Sequence, residues 1–486
     1  VARSSTTRLL IAASSAALAL CLGVTGCSRT INGTPTTSGS TSADTVAGLP
    51  ASDGPSGLKP GAQDAGLPVE GGTDGKVDTL ATNAVADVQR YWRSAYPETF
   101  GGGDFRPIER LVSYDSGGGG RRVCGQDTSG LVNAFYCPAE DTIAWDRGEL
   151  LPGLRNTFGA MAPVTVLAHE TGHAVQYRAG LVDERTPTLV SEQQADCFTG
   201  AFFRHVAEGS AEHVRVSTGS GLNKVLGVLG YIRDEPGRTG FSDARAHGSA
   251  FDRVSAFQYG FSDGPKRCTE MTEESVTERT TQFRFWKEAQ ETDLPIDGES
   301  VEQVERSLRE VFVDTGVAPP EITTEQRPCP GTETTEPASY CAETNTISLN
   351  LSELRTAATP PGNGDRESGY GDFAAYAQLA SRYALAVQEA AGLTLTGDTA
   401  GLRTACLVGA WSGLIVEDPI GRRNPVGELR IAPGDLDEGI ASLLSDNGLI
   451  AADAEGEQVP AGFARVEAFR VGFRQGTAPC ASEYDD

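Results

Sequence analysis

The chain has 486 residues, 66 of them acidic and 40 basic, for a formal net charge of -26. That balance argues against nucleic acid or an anionic lipid surface as partner, since either would be repelled. No run of like charge stands out as a binding tail, and the length suffices for two ordinary domains with real cores.

Residues 1–27 read as an export signal. Arg3 and Arg8 supply the positive start, an apolar run from Leu9 to about Val24 is short for a membrane span, and Val24-Thr25-Gly26-Cys27 ends it. That ending resembles a bacterial lipobox, which implies a lipid on Cys27 and a mature protein anchored at the outer face of the cytoplasmic membrane. Residues 28–77 are dominated by Gly, Ser, Thr, Pro and Asp and are expected to be a flexible linker.

Asp78 to Trp92 places apolar residues at helical spacing, and Leu111 to Trp145 reads as hairpin-like strands closed by a short disulfide loop. Helices are predicted over Pro163 to about Arg178, Thr188 to about Val206, and Ser249 to Phe261. The expected class is α+β, helix-rich.

Setting aside Cys21 with the signal and Cys27 with the lipid leaves eight cysteines, an even number that suits an oxidising compartment. An internal repeat suggests how they pair. "YCPAEDTIAWD" from Tyr136 is answered by "YCAETNTISLN" from Tyr340, and Ala174-Val175-Gln176 by Ala386-Val387-Gln388. Cys197 with Gly200-Ala201 is answered by Cys406 with Gly409-Ala410, and the stretch from Arg253 to Phe261 by that from Arg465 to Phe473. We therefore expect two tandem copies of one domain, residues 78–270 and 298–486, joined by a connector at 271–297. The disulfides would lie within copies: Cys124–Cys137, Cys197–Cys268, Cys329–Cys341 and Cys406–Cys480.

His169-Glu170-Thr171-Gly172-His173 has the form H-E-x-x-H and holds two of the chain's five histidines. Four residues apart on a helix, both imidazoles face one way and can reach one ion, with Glu170 beside the adjoining water position. Glu192-Gln193-Gln194-Ala195-Asp196 stands on the next predicted helix. The combination resembles the gluzincin arrangement, which implies Glu192 as third zinc ligand and Asp196 as acceptor for the free ring N–H of His169 or His173. Two imidazoles and one carboxylate leave zinc a position for water, and Glu170 would be the general base.

"AHETGHAVQ" from Ala168, "SEQQADCFTG" from Ser191 and "HGSAFDRVSAFQYGF" from His247 resemble the bacterial neutral zinc metallopeptidases, including actinobacterial lipoprotein peptidases. The resemblance covers about residues 80–270 and implies a zincin-like peptidase domain with one Zn2+ per chain. Ser191 departs from the better-known gluzincins, which carry Asn before the glutamate.

In the second copy, His169 aligns with Ser381, Glu170 with Arg382, His173 with Leu385, Glu192 with Gly401 and Asp196 with Ala405. All five chemical positions are lost together while Gln176, Cys197, Gly200, Arg253, Phe257 and Phe261 have identical counterparts, so the second copy is read as degenerate. His247 faces Val459 in that comparison and is nominated as an oxyanion donor. His205 and His213 are expected at the surface. The resulting expectation is a lipid-anchored zinc endopeptidase acting on a peptide or protein. Its rivals are a non-catalytic binding lipoprotein and a zinc amidase acting on cell-wall peptides.

Overall fold

The structure is a computed structural model that describes residues 44–234, 246–279, 294–330, 334–359, 370–416, 426–432 and 434–484. The signal-sequence and Cys27 calls lie outside the described residues. Residues 38–486 form one compact unit. Among the described residues no helix is long and apolar enough to cross a membrane.

The linker expectation needs correction from residue 44 onward. Strands β1 (Thr45–Val46) and β2 (Leu49–Pro50) form a small hairpin, and β3 (Gly57–Leu58) pairs antiparallel with β9 (Val214–Arg215). Ser217 N donates to Ser56 Oγ at 3.0 Å, and Ser52 N to Thr218 Oγ1 at 2.9 Å. The expectation counted apolar residues, whereas this stretch is held by hydroxyl and backbone hydrogen bonds that composition does not reveal.

Helix α1 (Lys76–Phe100) buries Leu80, Ala84, Val88 and Trp92 along one stripe and ends at Gly101, whose φ of 77° favours a residue without a side chain. Strands β4 (Arg110–Tyr114), β7 (Ala134–Cys137) and β8 (Thr142–Asp146) form a sheet in the order β4-β8-β7, with a two-strand hairpin β5 (Arg122–Val123) and β6 (Gln126–Asp127) inserted. The hairpin expectation holds for β7–β8, but β4 runs parallel to β8. A parallel pair needs a crossover, and residues 115–133 provide it before β7 turns back as β8.

The helices α2 (Leu150–Phe158), α3 (Met161–Ala179), α4 (Thr188–Ala207), α5 (Ser220–Tyr231), α6 (Ala250–Asp263), α7 (Pro265–Cys268) and α8 (Glu273–Arg279) follow. After α9 (Gly298–Val311) come β10 (Glu321–Thr323), β11 (Ala338–Cys341) and β12 (Thr346–Leu349), in the order β10-β12-β11 with the same parallel and antiparallel pairings as the first sheet. Then come α10 (Leu351–Ala358), α11 (Asp372–Ala390), α12 (Asp398–Ile415), α13 (Asp435–Leu444), α14 (Gly462–Gln475) and α15 (Pro479–Ser482).

The repeated letters fall on equivalent structure. Tyr136 faces Ile143 and Cys137 faces Thr142 across β7–β8, and Tyr340 faces Ile347 and Cys341 faces Thr346 across β11–β12. The tight turns carry left-handed Asp141 (φ 44°) and Asn345 (φ 48°), bonded by the hydroxyls of Tyr136 and Tyr340 at 2.9 and 3.2 Å. All four disulfides join the expected partners.

One hydrophobic cluster runs through both halves. At its centre α6 meets α14: Phe251 packs on Phe473 with ring centroids 5.0 Å apart, and Phe261 on Phe463 at 5.1 Å. In the repeat alignment Phe251 corresponds to Phe463 and Phe261 to Phe473. Each pair is therefore the other with the halves exchanged, as in a twofold interface.

Candidate metal centre

The site is built on three helices. Helix α3 starts with Pro163 in its first turn, where the missing N–H costs nothing, and stops at Gly180 with φ 65°. It carries His169, Glu170 and His173. Gly172 lies between the histidines and faces α4; a Cβ there would stand 3.1 Å from Ala195 Cα and O. That absence of a side chain lets α4 come close enough to bring Glu192 and Asp196 to the histidines.

His169 Nε2 lies 3.1 Å from Glu192 Oε2, and His173 Nε2 3.3 Å from Glu192 Oε1. One donor atom from each of His169, His173 and Glu192 lies within 4.8 Å of the others, a spacing that suits a shared metal ion. The three are buried or nearly so. The other nitrogen of His169, Nδ1, lies 2.8 Å from Asp196 Oδ1, so Asp196 supports His169 and not His173. His173 Nδ1 lies 2.9 Å from Gln176 Oε1.

The local fields favour a cation. Both nitrogens of His169 face carboxylates, which without a metal favours the doubly protonated ring. Burial opposes that charge, but Asp196 and then Glu192 outweigh it and push the His169 imidazole up to about 10. Burial would raise Glu192 too, yet His173 and His169 hold it well below the usual carboxylate range. Glu170 behaves differently: burial lifts it above the ordinary glutamate value, even with two histidines nearby, and its Oε2 accepts from Tyr136 N of β7 at 2.9 Å. The donor set thus combines two imidazoles, a carboxylate and an excess of negative charge, which fits zinc.

Sequence reasoning missed the next layer. Arg253 of α6 binds Asp196 with Nε to Oδ2 at 2.8 Å and Nη2 to Oδ1 at 2.9 Å, and burial of this pair holds the carboxylate that orients His169. The presence of Arg465 at the equivalent position made Arg253 look purely architectural. Ser191 does not bind the site edge through its side chain; its carbonyl accepts from Gln176 Nε2 at 2.6 Å, while its hydroxyl donates to Thr188 O. His247 is exposed, with Nδ1 at 3.2 Å from Asp234 Oδ1. The surface expectation fails for His213, which is buried against Asp87, and for His205, which is half-buried beside Tyr91. Asp87 also accepts from the backbone of residues 212–214, so this corner of β9 folds around a carboxylate the sequence did not flag.

Residues 56–271 match the family model described as "Putative neutral zinc metallopeptidase". No curated protein and no solved structure matches the chain. The matched stretch contains every residue of the three-helix cluster and starts one residue before β3. The match of that stretch to a zinc-peptidase family model suggests peptide hydrolysis and implies zinc.

The aligned positions of the second half, which lie beyond the family match, hold no comparable set. Arg382, at the place of Glu170, is buried and donates to the carbonyls of Leu449, Ala452 and Asp453. Arg465 keeps one contact of its counterpart type, Nη1 to Ser445 O at 2.7 Å, where Arg253 Nη1 donates to Ile232 O. With alanine at 405, Arg465 Nε is buried without a hydrogen-bond partner among the described residues. A separate group, Asp372, Asp435 and Glu438, is all carboxylate, and its oxygens accept from Leu294 N, Ala432 N and Phe373 N.

Proposed function

We propose that the protein is a membrane-anchored, extracytoplasmic zinc endopeptidase of the H-E-x-x-H type. It would comprise two tandem copies of a zincin-like domain, the first catalytic, over about 78–270, and the second a degenerate scaffold, over about 298–486. The lipid on Cys27 and the outward location rest on the sequence of residues 1–27 alone. The observation that carries the reading is the convergence of His169, His173 and Glu192 donor atoms inside the family-matched stretch.

His169, His173 and Glu192 would hold the metal, and bound zinc would supply the Lewis acid for a scissile carbonyl and the attacking water. Asp196 keeps the His169 ring in one orientation through Nδ1. Glu170 engages Tyr136 N with Oε2, which leaves Oε1 to take a proton from the nucleophile and return it to the leaving amine. Burial raises its proton affinity, as a base working near neutral pH requires. His247 enters as an oxyanion donor.

Metal analysis combined with hydrolysis of an unfolded protein substrate tests this. The intact chain should carry about one zinc, His169→Ala should lose it, and Glu170→Gln should keep it while losing activity by about a thousandfold or more. His247→Gln should lower kcat with zinc retained. Hydrolysis unaffected in Glu170→Gln would remove the proposed base. Zinc without hydrolysis of protein, but with hydrolysis of wall peptides, would favour the amidase reading.

A further inference from the structure

The helices that meet at the centre of the molecule are capped by residues of opposite halves. Asn223 of α5 accepts from Gly462 N, at the start of α14, with Oδ1 at 2.8 Å. In exchange, Asp437 of α13 accepts from Phe251 N, in the first turn of α6, with Oδ1 at 3.3 Å. Its Oδ2 lies 3.0 Å from Arg233 Nε, and its carboxylate is buried.

What each capped helix carries is different. Helix α14 carries Arg465, and the position aligned with Asp196 holds Ala405. Helix α6 carries Arg253, which grips Asp196, which in turn orients His169. Arg253 is anchored at its other end by Ile232 O at 2.9 Å, one residue from Arg233. Asp437 therefore fixes both supports of Arg253: the start of its helix and the chain corner its guanidinium leans on.

We propose that Asp437 is a positioning residue for the metal centre, so that the second half sets the zinc affinity of the first. The proposal rests on reading His169, His173 and Glu192 as the zinc site. Partners behind metal ligands commonly alter affinity by about ten- to a hundredfold when removed, because the ligands must be held within about half an ångström. Asp437 stands behind Asp196 and Arg253, three links from His169, and should act at the lower end of that range.

The test uses the full chain and measures zinc affinity by competition with a chromogenic chelator, alongside thermal stability without metal. Asp437→Ala should weaken zinc binding by about tenfold. Asn223→Ala removes the reciprocal cap; it should lower stability but leave zinc affinity within about twofold of the wild type. Wild-type affinity in Asp437→Ala, or equal weakening in Asn223→Ala, would overturn the proposal. If Asp437→Ala does not fold, Asp437→Asn keeps an acceptor for α6 but loses the charge on Arg233, and wild-type affinity there overturns it equally. A wild-type chain that takes up no zinc would instead refute the zinc site itself.

Discussion

His169 is the residue on which the centre turns, because each of its nitrogens meets a different carboxylate. In the metal-free protein the two carboxylates favour a second proton on Nε2, where zinc would bind, so proton and metal would compete for one atom. Zinc binding at pH 8 should release about one proton, seen as a buffer-dependent heat in calorimetry run in two buffers of different ionisation enthalpy. Stability has a matching sign. With the folded value raised to about 10 from an ordinary 6.5, the stabilisation is full below about 6.5 and is lost as pH rises through 10. Metal-free protein should therefore melt lower at pH 9.5 than at pH 6.5, and saturating zinc should shrink the difference. A heat of binding that is the same in both buffers would show that no proton leaves and that His169 is already singly protonated before the metal arrives.

At the scale of elements, three glycines decide how closely the helices approach. Gly172 admits α4 to α3, while Gly200 and Gly260 let α4 and α6 touch backbone to backbone; a Cβ at Gly260 would land on Cys197 O. Backbone cannot yield as a side-chain tip can, so Gly260→Ala should destabilise by about 3 kcal/mol. Because Cys197 adjoins Asp196, it should weaken zinc binding as well. Gly472→Ala meets Cys406 O in the same manner and should lose similar stability with zinc affinity unchanged, read by denaturant unfolding and chelator competition on both variants. These elements also show what was legible in the sequence. The helix bearing H-E-x-x-H, the next helix and all four disulfides were readable, because period, spacing and repetition are local signals. The parallel placement of β4 beside β8 and the packing of residues 44–77 were not, since they depend on crossovers and on hydroxyls meeting distant backbone. Arg253 was in plain view, but its partner could be found only by bringing α6 against α4.

For the molecule as a whole, the shared core and the crossed phenylalanine pairs leave neither half a complete surface of its own. Unfolding should therefore be a single event, with calorimetric and van't Hoff enthalpies in agreement, and two resolved transitions would show that the halves melt separately. Zinc added to the first half should shift that one transition, and hydrogen exchange should report added protection in α14, which holds none of the proposed ligands.

The crossed seam between α6 and α14 has the symmetry of a pairing between two separate chains, yet here the partner is covalently attached. A pairing of separate chains would fall apart on dilution, and whatever it supported would fail with it. Tethering replaces bulk concentration by an effective one on the order of millimolar. The support proposed for the metal centre is thereby independent of how few copies of the protein are present.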